Sequence, residues 1–117
     1  MATVTPNPVD TKGSLNRVVV TWAGMVTGDT IVAHVAQRAP ALMSVQAAGT
    51  FANGTSIGFQ GSNDQSNFVD LEDNQGVAIT AKLAAFTADV AGSRVAYKPS
   101  IASGSSDSVT VTFAYWG

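Results

Sequence analysis

The stretch SVTVTFAYW, residues 108–116, decides the fold class of this 117-residue chain. Val109, Val111 and Phe113 alternate with small or polar residues, and a period of two places all three on one face of an extended strand. β-branched and aromatic residues also favour strands over helices. The stretch therefore predicts a half-buried β-strand whose apolar face is turned toward a core.

Similar stretches recur along the chain at short intervals. They lie at residues 17–22, 31–35, 43–51, 56–61, 67–71, 77–81 and 94–99. The pair Asn53-Gly54 is a strong tight-turn signal, and Pro99 is expected to close its strand or to lie at a sheet edge. About eight short strands separated by turns predict an all-β fold, specifically a single antiparallel β-sandwich or jelly roll.

Two segments depart from this pattern. Residues 1–15 contain Pro6 and Pro8, which favour extended backbone, and little that could be buried, so they predict an extended N-terminal arm. The sandwich domain is then expected over residues 16–117. Residues 82–91 are rich in alanine, and helix propensity favours a short helix there.

Composition narrows the function classes. Charged residues make up 12% of the chain, about half the usual share of roughly 25%. The six Lys and Arg residues are scattered, so nucleic-acid binding is not expected. No apolar run is long enough for a membrane span and no signal peptide begins the chain, so we expect a soluble, unsecreted domain. The absence of cysteine excludes a disulfide framework, a thiol nucleophile and a cysteine-ligated zinc site. A surface so poor in charge predicts coverage by other protein, and the alternative is an exterior merely rich in Ser, Thr and Asn.

No residue pattern predicts catalysis or a cofactor. His34 is the only histidine and has no nucleophile motif around it, so we interpret it as structural or surface-exposed. Asp64, Asp70, Glu72 and Asp73 cluster within ten positions, but their spacing does not fit a calcium loop, and turn formation explains them better. A cation near Asp64, Asp70 and Asp73 remains an open alternative, and a glycosidase pair of Asp64 with Asp70 lacks a cleft.

Five residues are candidates for contacts with a partner. They are Pro6, Pro8, Trp22, Tyr115 and Trp116. The prolines lie in the expected arm, and the aromatic residues are of the types enriched at protein interfaces and on sugar-stacking platforms. The alternative is that the terminal strand packs Tyr115 and Trp116 against the arm or a loop. An exposed Trp22, Tyr115 or Trp116 would also serve a carbohydrate-binding module.

The order of several short motifs resembles a known family. The motifs are Trp22, Gly28-Asp29-Thr30, Gly49-Thr50-Phe51, Gly61-Ser62-Asn63-Asp64, the segment from Leu71 to Gly76, Tyr97 with Pro99, and Val109-Thr110-Val111-Thr112. In this order they resemble the small capsid decoration proteins of tailed bacteriophages, also called cement or head-stabilisation proteins. Two positions depart mildly, because relatives usually carry Trp where Phe68 stands and Arg where Lys98 precedes Pro99.

The resemblance implies a non-enzymatic virion protein on the outer capsid surface, made in the bacterial host cytoplasm. Its expected partners are the major capsid protein, whose neighbouring subunits it would clamp, and further copies of itself in a dimer or trimer. No cofactor and no metal are implied. The alternatives are a carbohydrate-binding module that binds a host-surface glycan, and a tail or fibre component of the virion.

Overall fold

Most of the chain forms strands in the computed structural model, which describes residues 2–11, 17–38 and 40–116. Strands are numbered in chain order. One sheet has six, in the spatial order β2 (Asn7–Thr11), β3 (Arg17–Met25), β12 (Ser108–Trp116), β6 (Leu42–Thr50), β10 (Phe86–Ala91) and β9 (Glu72–Asp73). The second has four, β5 (His34–Val35), β11 (Ala96–Ala102), β7 (Ser56–Ser62) and β8 (Val69–Asp70). The last pair is parallel, β1 (Thr3–Val4) with β4 (Thr30–Ile31).

The predicted all-β sandwich is confirmed, and its finer description as a jelly roll stays a prediction. β12, the strand that decided the fold class, lies inside the six-stranded sheet and pairs antiparallel with β3 on one side and β6 on the other. Val109, Val111 and Phe113 are fully buried, as their alternation predicted. The strand is therefore half-buried because one of its faces meets the second sheet.

Aromatic side chains join the two sheets. Trp22, Phe113 and Tyr115 come from the six-stranded sheet, and Phe59 and Tyr97 come from the four-stranded sheet. The ring centroids of Phe59 and Phe113 are 4.8 Å apart, and those of Tyr97 and Phe113 are 4.7 Å apart. Each of these buried side chains contributes on the order of 2–3 kcal/mol to folding.

Two expectations about local structure were wrong. Residues 82–91 form no helix, because Phe86, Ala88 and Val90 turn toward the core and the strand pairs with β6, so tertiary pairing overrides the helix propensity of alanine. The described residues form twelve strands rather than about eight, and five of the twelve are only two residues long. One reason is that the stretch predicted at residues 31–35 is split between β4 and β5.

The described part of the expected arm is extended and lies in sheets of this same chain. Residues 7–11 form β2, which pairs antiparallel with β3, and residues 3–4 form β1. Residues 1 and 12–15, which complete the predicted arm, lie outside the described residues. Pro99 is buried and does not close its strand, since β11 continues to Ala102. It lies beyond the two residues that pair with β5, so among the described residues only β7 pairs with the strand at this position, as expected for a sheet edge.

Candidate interaction surfaces

The outer face of the six-stranded sheet is broad and nearly uncharged. Residues paired across neighbouring strands share a face, so the register defines its members. We call it the sheet face, and it comprises Asn7, Val9, Arg17, Val19, Thr21, Leu42, Ser44, Gln46, Ala48, Glu72, Thr87, Asp89, Ala91, Thr110, Thr112, Ala114 and Trp116. Within this set of described residues, Arg17, Glu72 and Asp89 carry charge, and all three lie on the outer strands β3, β9 and β10. Such a face can be covered by protein without stripping water from many ions.

Short side chains make the centre of the sheet face shallow. Thr112 pairs with Gln46 and Ala114 with Ser44, and these two rows line a groove of about 220 Å³ together with Thr87 and Asp89. A substrate pocket usually encloses several hundred cubic ångströms and buries most of its ligand. The groove therefore suits contact with another protein surface better than capture of a small molecule.

One corner of the sheet face carries larger side chains. Arg17, Trp116 and Leu42 form one row across three strands, and the Arg17 guanidinium carbon lies 5.6 Å from the centroid of the Trp116 ring. Leu42 is 68% exposed and Trp116 is half-buried. Trp and Arg are frequent anchors of protein interfaces, so the structure leaves Trp116 available for the contact predicted for it.

Exposed valines lie at the opposite sheet, around its edge strand β5. Val35 lies in β5 and is 47% exposed, Val32 precedes the strand, and the backbone carbonyl of Val95 accepts a hydrogen bond from the Ala36 N–H. We call these three residues the valine edge. Arg38 and Arg94 line the groove beside Val95, so the valine edge is an apolar surface flanked by cations. The sandwich thus presents an almost uncharged face on one sheet and an exposed apolar edge on the other.

Two of the five predicted contact residues lie in the core. Trp22 is fully buried and its indole N–H donates to the carbonyl of Val32, and Tyr115 is fully buried as well. Both predictions were wrong, because β3 and β12 turn these residues toward the second sheet. Pro8 is exposed in the edge strand β2, and Pro6 is half-buried just before it, so only these two and Trp116 reach the surface.

His34 belongs to a buried polar cluster. Its Nε2 lies 2.9 Å from the Tyr115 hydroxyl, which accepts a hydrogen bond from the Gln37 backbone N–H. Nearby, the Arg38 guanidinium lies 3.2 Å from the Asp10 carboxylate and ties the segment after β5 to β2. Burial lowers the pKa of His34, so the neutral imidazole is favoured. The geometry fits the structural interpretation of this histidine.

Two of the four carboxylates predicted to form turns, Asp64 and Asp73, do so, and the prediction was wrong for Asp70 and Glu72, which lie in β8 and β9. The Asp64 carboxylate accepts hydrogen bonds from the backbone N–H groups of Ser66 and Asn67, and that of Asp73 accepts from those of Gln75 and Val77. These bonds hold the pKa of both carboxyl groups below their usual range. Asp70 instead accepts from the Gln60 amide, outside both turns. Among the described residues no three His, Asp or Glu side chains converge into a metal site.

Sequence reasoning missed the buried carboxylate of Asp107. Its Oδ1 accepts the Thr27 backbone N–H, and its Oδ2 accepts the hydroxyl groups of Thr27 at 2.7 Å and Thr55 at 2.6 Å. These hydrogen bonds lower the pKa of Asp107 to about 2. A side chain at Gly104 would collide with the Thr55 hydroxyl. The cluster ties three loops together at one end of the sandwich, and its only sequence signal is an Asp at the start of the last strand.

Among the described residues, no helix is long and apolar enough to cross a membrane. Neither family models, nor curated proteins, nor solved structures yielded a match to this chain.

Proposed function

We propose that this chain is a non-enzymatic virion structural protein that binds the outer surface of a phage capsid and clamps neighbouring major capsid subunits. The observation that carries the proposal is the pair of exposed surfaces, the almost uncharged sheet face and the apolar valine edge, on opposite sheets of one small sandwich. A protein that joins others needs at least two contact surfaces. The family resemblance of the motif order supports the same function.

The physical mechanism of such a clamp is shared burial of surface. Exposed valines gain free energy on burial, at about 25 cal/mol for each Å² removed from water. Repeated weak contacts on a symmetric shell reinforce each other, because a second contact made by an already bound molecule occurs at high effective concentration. The clamp therefore stabilises the head without a preformed active site.

The sheet edges support a limited assembly rather than open-ended growth. Edge strands invite pairing with other chains unless proline, charge or shortness discourages it. β2 carries Pro8, β9 consists of Glu72 and Asp73, and β5 and β8 are two residues long. Backbone pairing of these edges with other chains is thereby disfavoured, and side-chain contacts through the sheet face and the valine edge are left for assembly.

The carbohydrate-binding alternative is weakened by burial. Sugar stacking needs an exposed aromatic face, and Trp22 and Tyr115 have none. Trp116 remains, but the Arg17 guanidinium already lies over its ring. A tail or fibre component would use the same surfaces as a capsid protein, and only its place and copy number in the particle distinguish it.

The test is co-sedimentation of the purified chain with phage heads assembled without it. We expect saturable binding of the wild-type protein, and binding about tenfold weaker or worse for Val35→Lys, because a charge placed in an apolar contact must be desolvated. Leu83→Lys is the matched control, since Leu83 is 66% exposed and lies outside both surfaces. Absence of wild-type binding would refute the function, and equal binding of Val35→Lys would remove the valine edge from it.

A further inference from the structure

We propose that the sheet face is covered by a second copy of this chain, in a two-fold symmetric dimer that places Arg17 of each copy beside Asp89 of the other. This inference extends the proposed function, on which its role in the virion rests, by naming the occupant of one surface. The valine edge then remains for the capsid.

The strand order makes the sheet face compatible with a two-fold axis. An isologous contact requires a patch that is complementary to itself. In the order β2-β3-β12-β6-β10-β9, an axis parallel to the strands between β12 and β6 exchanges those two strands and exchanges β3 with β10. Residues of β12 in one copy therefore face residues of β6 in the other, at the same level along the strand.

The charges fit this symmetry. Arg17 lies on β3 and Asp89 lies on β10, which are the two strands that the axis exchanges. Arg17 is level with Leu42 and Asp89 with Ser44, so the two charges are offset along the strands by two residues, or about 7 Å. A long, flexible arginine side chain can span that offset. Glu72 lies on β9, which the axis exchanges with β2, and the described side chains of β2 on this face, Asn7 and Val9, are uncharged. The dimer therefore contains two Arg17–Asp89 ion pairs and no pair of like charges across the axis.

The corner of the sheet face that carries Trp116 and Leu42 is also complementary to its own copy across the axis. Trp116 and Leu42 are cross-strand neighbours on β12 and β6. The axis brings Trp116 of one copy over Leu42 of the other, and does so twice. This contact covers the most exposed large apolar side chain on the described surface, Leu42 at 68%. Trp and Arg together at one patch are typical of interface hot spots.

The centre of the sheet face allows close approach. Thr112 faces Gln46 of the other copy, and Ala114 faces its Ser44, so short side chains meet and polar groups find partners. The four strands that overlap about the axis are about 4.8 Å apart and carry four rows about 7 Å apart, which span roughly 540 Å² per copy. The total of about 1,100 Å² lies above the roughly 1,000 Å² that a biological interface should exceed and just below the range of stable ones. A dimer of moderate affinity follows.

The test exchanges the charges of the proposed ion pair. The dissociation constant of the dimer is measured by sedimentation equilibrium on the full chain, without phage heads. We expect Arg17→Glu and Asp89→Arg each to weaken dimerisation about tenfold or more, since each places like charges together. The double variant with both substitutions restores opposite signs, and we expect it to dimerise within about threefold of the wild type. Asp70→Arg, in β8 outside the sheet face, is the matched control and leaves the constant unchanged.

Two results would overturn the inference. One is a wild-type protein that remains monomeric throughout the concentration range, and the other is a double variant that is no better than the single ones. Circular dichroism shows whether each variant is folded, and Leu42→Ser, in a side chain already exposed in the monomer, provides a second probe that must also weaken the dimer. Because phage heads are absent from this experiment, a protein that does not dimerise can still bind heads, and a protein that dimerises can still fail to bind them. The two proposals are therefore tested separately.

Discussion

The buried carboxylate of Asp107 shows how single residues hold the loops of this sandwich. It accepts the hydroxyl groups of Thr27 and Thr55, which come from different loops. We expect Thr55→Val, which keeps the shape and removes the hydroxyl, to lower the free energy of unfolding by about 1–3 kcal/mol, because a buried acceptor loses a partner. Urea denaturation measures the change, with the exposed Thr80→Val as the control. Equal losses in both variants would contradict the role of this cluster.

His34 makes the stability depend on pH. Burial lowers its pKa below the ordinary value of 6.5, so the unfolded chain binds a proton more readily than the folded one. The contribution of the neutral imidazole to the free energy of unfolding is complete above pH 6.5 and is lost as the pH falls below that value. We expect the free energy of unfolding to decrease between about pH 7 and pH 5 in the wild type, and to change less in His34→Leu. Parallel pH profiles in the two proteins would contradict this assignment.

Among the elements, β2 protects the sheet. It covers β3, whose uncharged β-branched residues Val18, Val19 and Val20 would otherwise lie at an open edge, and it carries Pro8, which has no N–H to offer. We expect deletion of residues 2–11 to lower the thermal midpoint and to produce large aggregates by light scattering. Pro8→Val should aggregate more readily than the wild type, and the control Pro6→Val, outside the strand, should not. A deleted chain as soluble and stable as the full one would refute the protective role.

Strands with one apolar face could be predicted from the sequence, as β12 and β7 show. Two elements could not. β3 is apolar on both faces, since Val19 lies between Val18 and Val20, so the pattern does not tell which face takes Trp22 into the core. β10 reads as a helix by propensity and becomes a strand because β6 pairs with it. The two candidate surfaces depend on register between distant strands, which no local pattern contains. Of the aromatic residues predicted to make contacts, only Trp116 reaches the surface.

At the scale of the whole molecule, the proposed assembly uses the sheet face to join two copies and the valine edge to contact the capsid, so the two surfaces make separable contributions to head binding. A dimer can hold the shell through two valine edges, and the second contact strengthens the first. We therefore expect Asp89→Arg to weaken apparent head binding at protein concentrations below saturation, although Asp89 lies on the sheet face and not on the proposed capsid contact. The double variant with Arg17→Glu should recover head binding together with dimerisation. Recovery of the dimer without any recovery of head binding would contradict this coupling.

The most direct test of the account is the mass of the purified chain in solution, followed by the number of copies bound to phage heads assembled without it. We predict a dimer in solution and a saturable number of bound copies that matches the symmetry of the shell. A stable monomer that does not bind the heads would contradict the account.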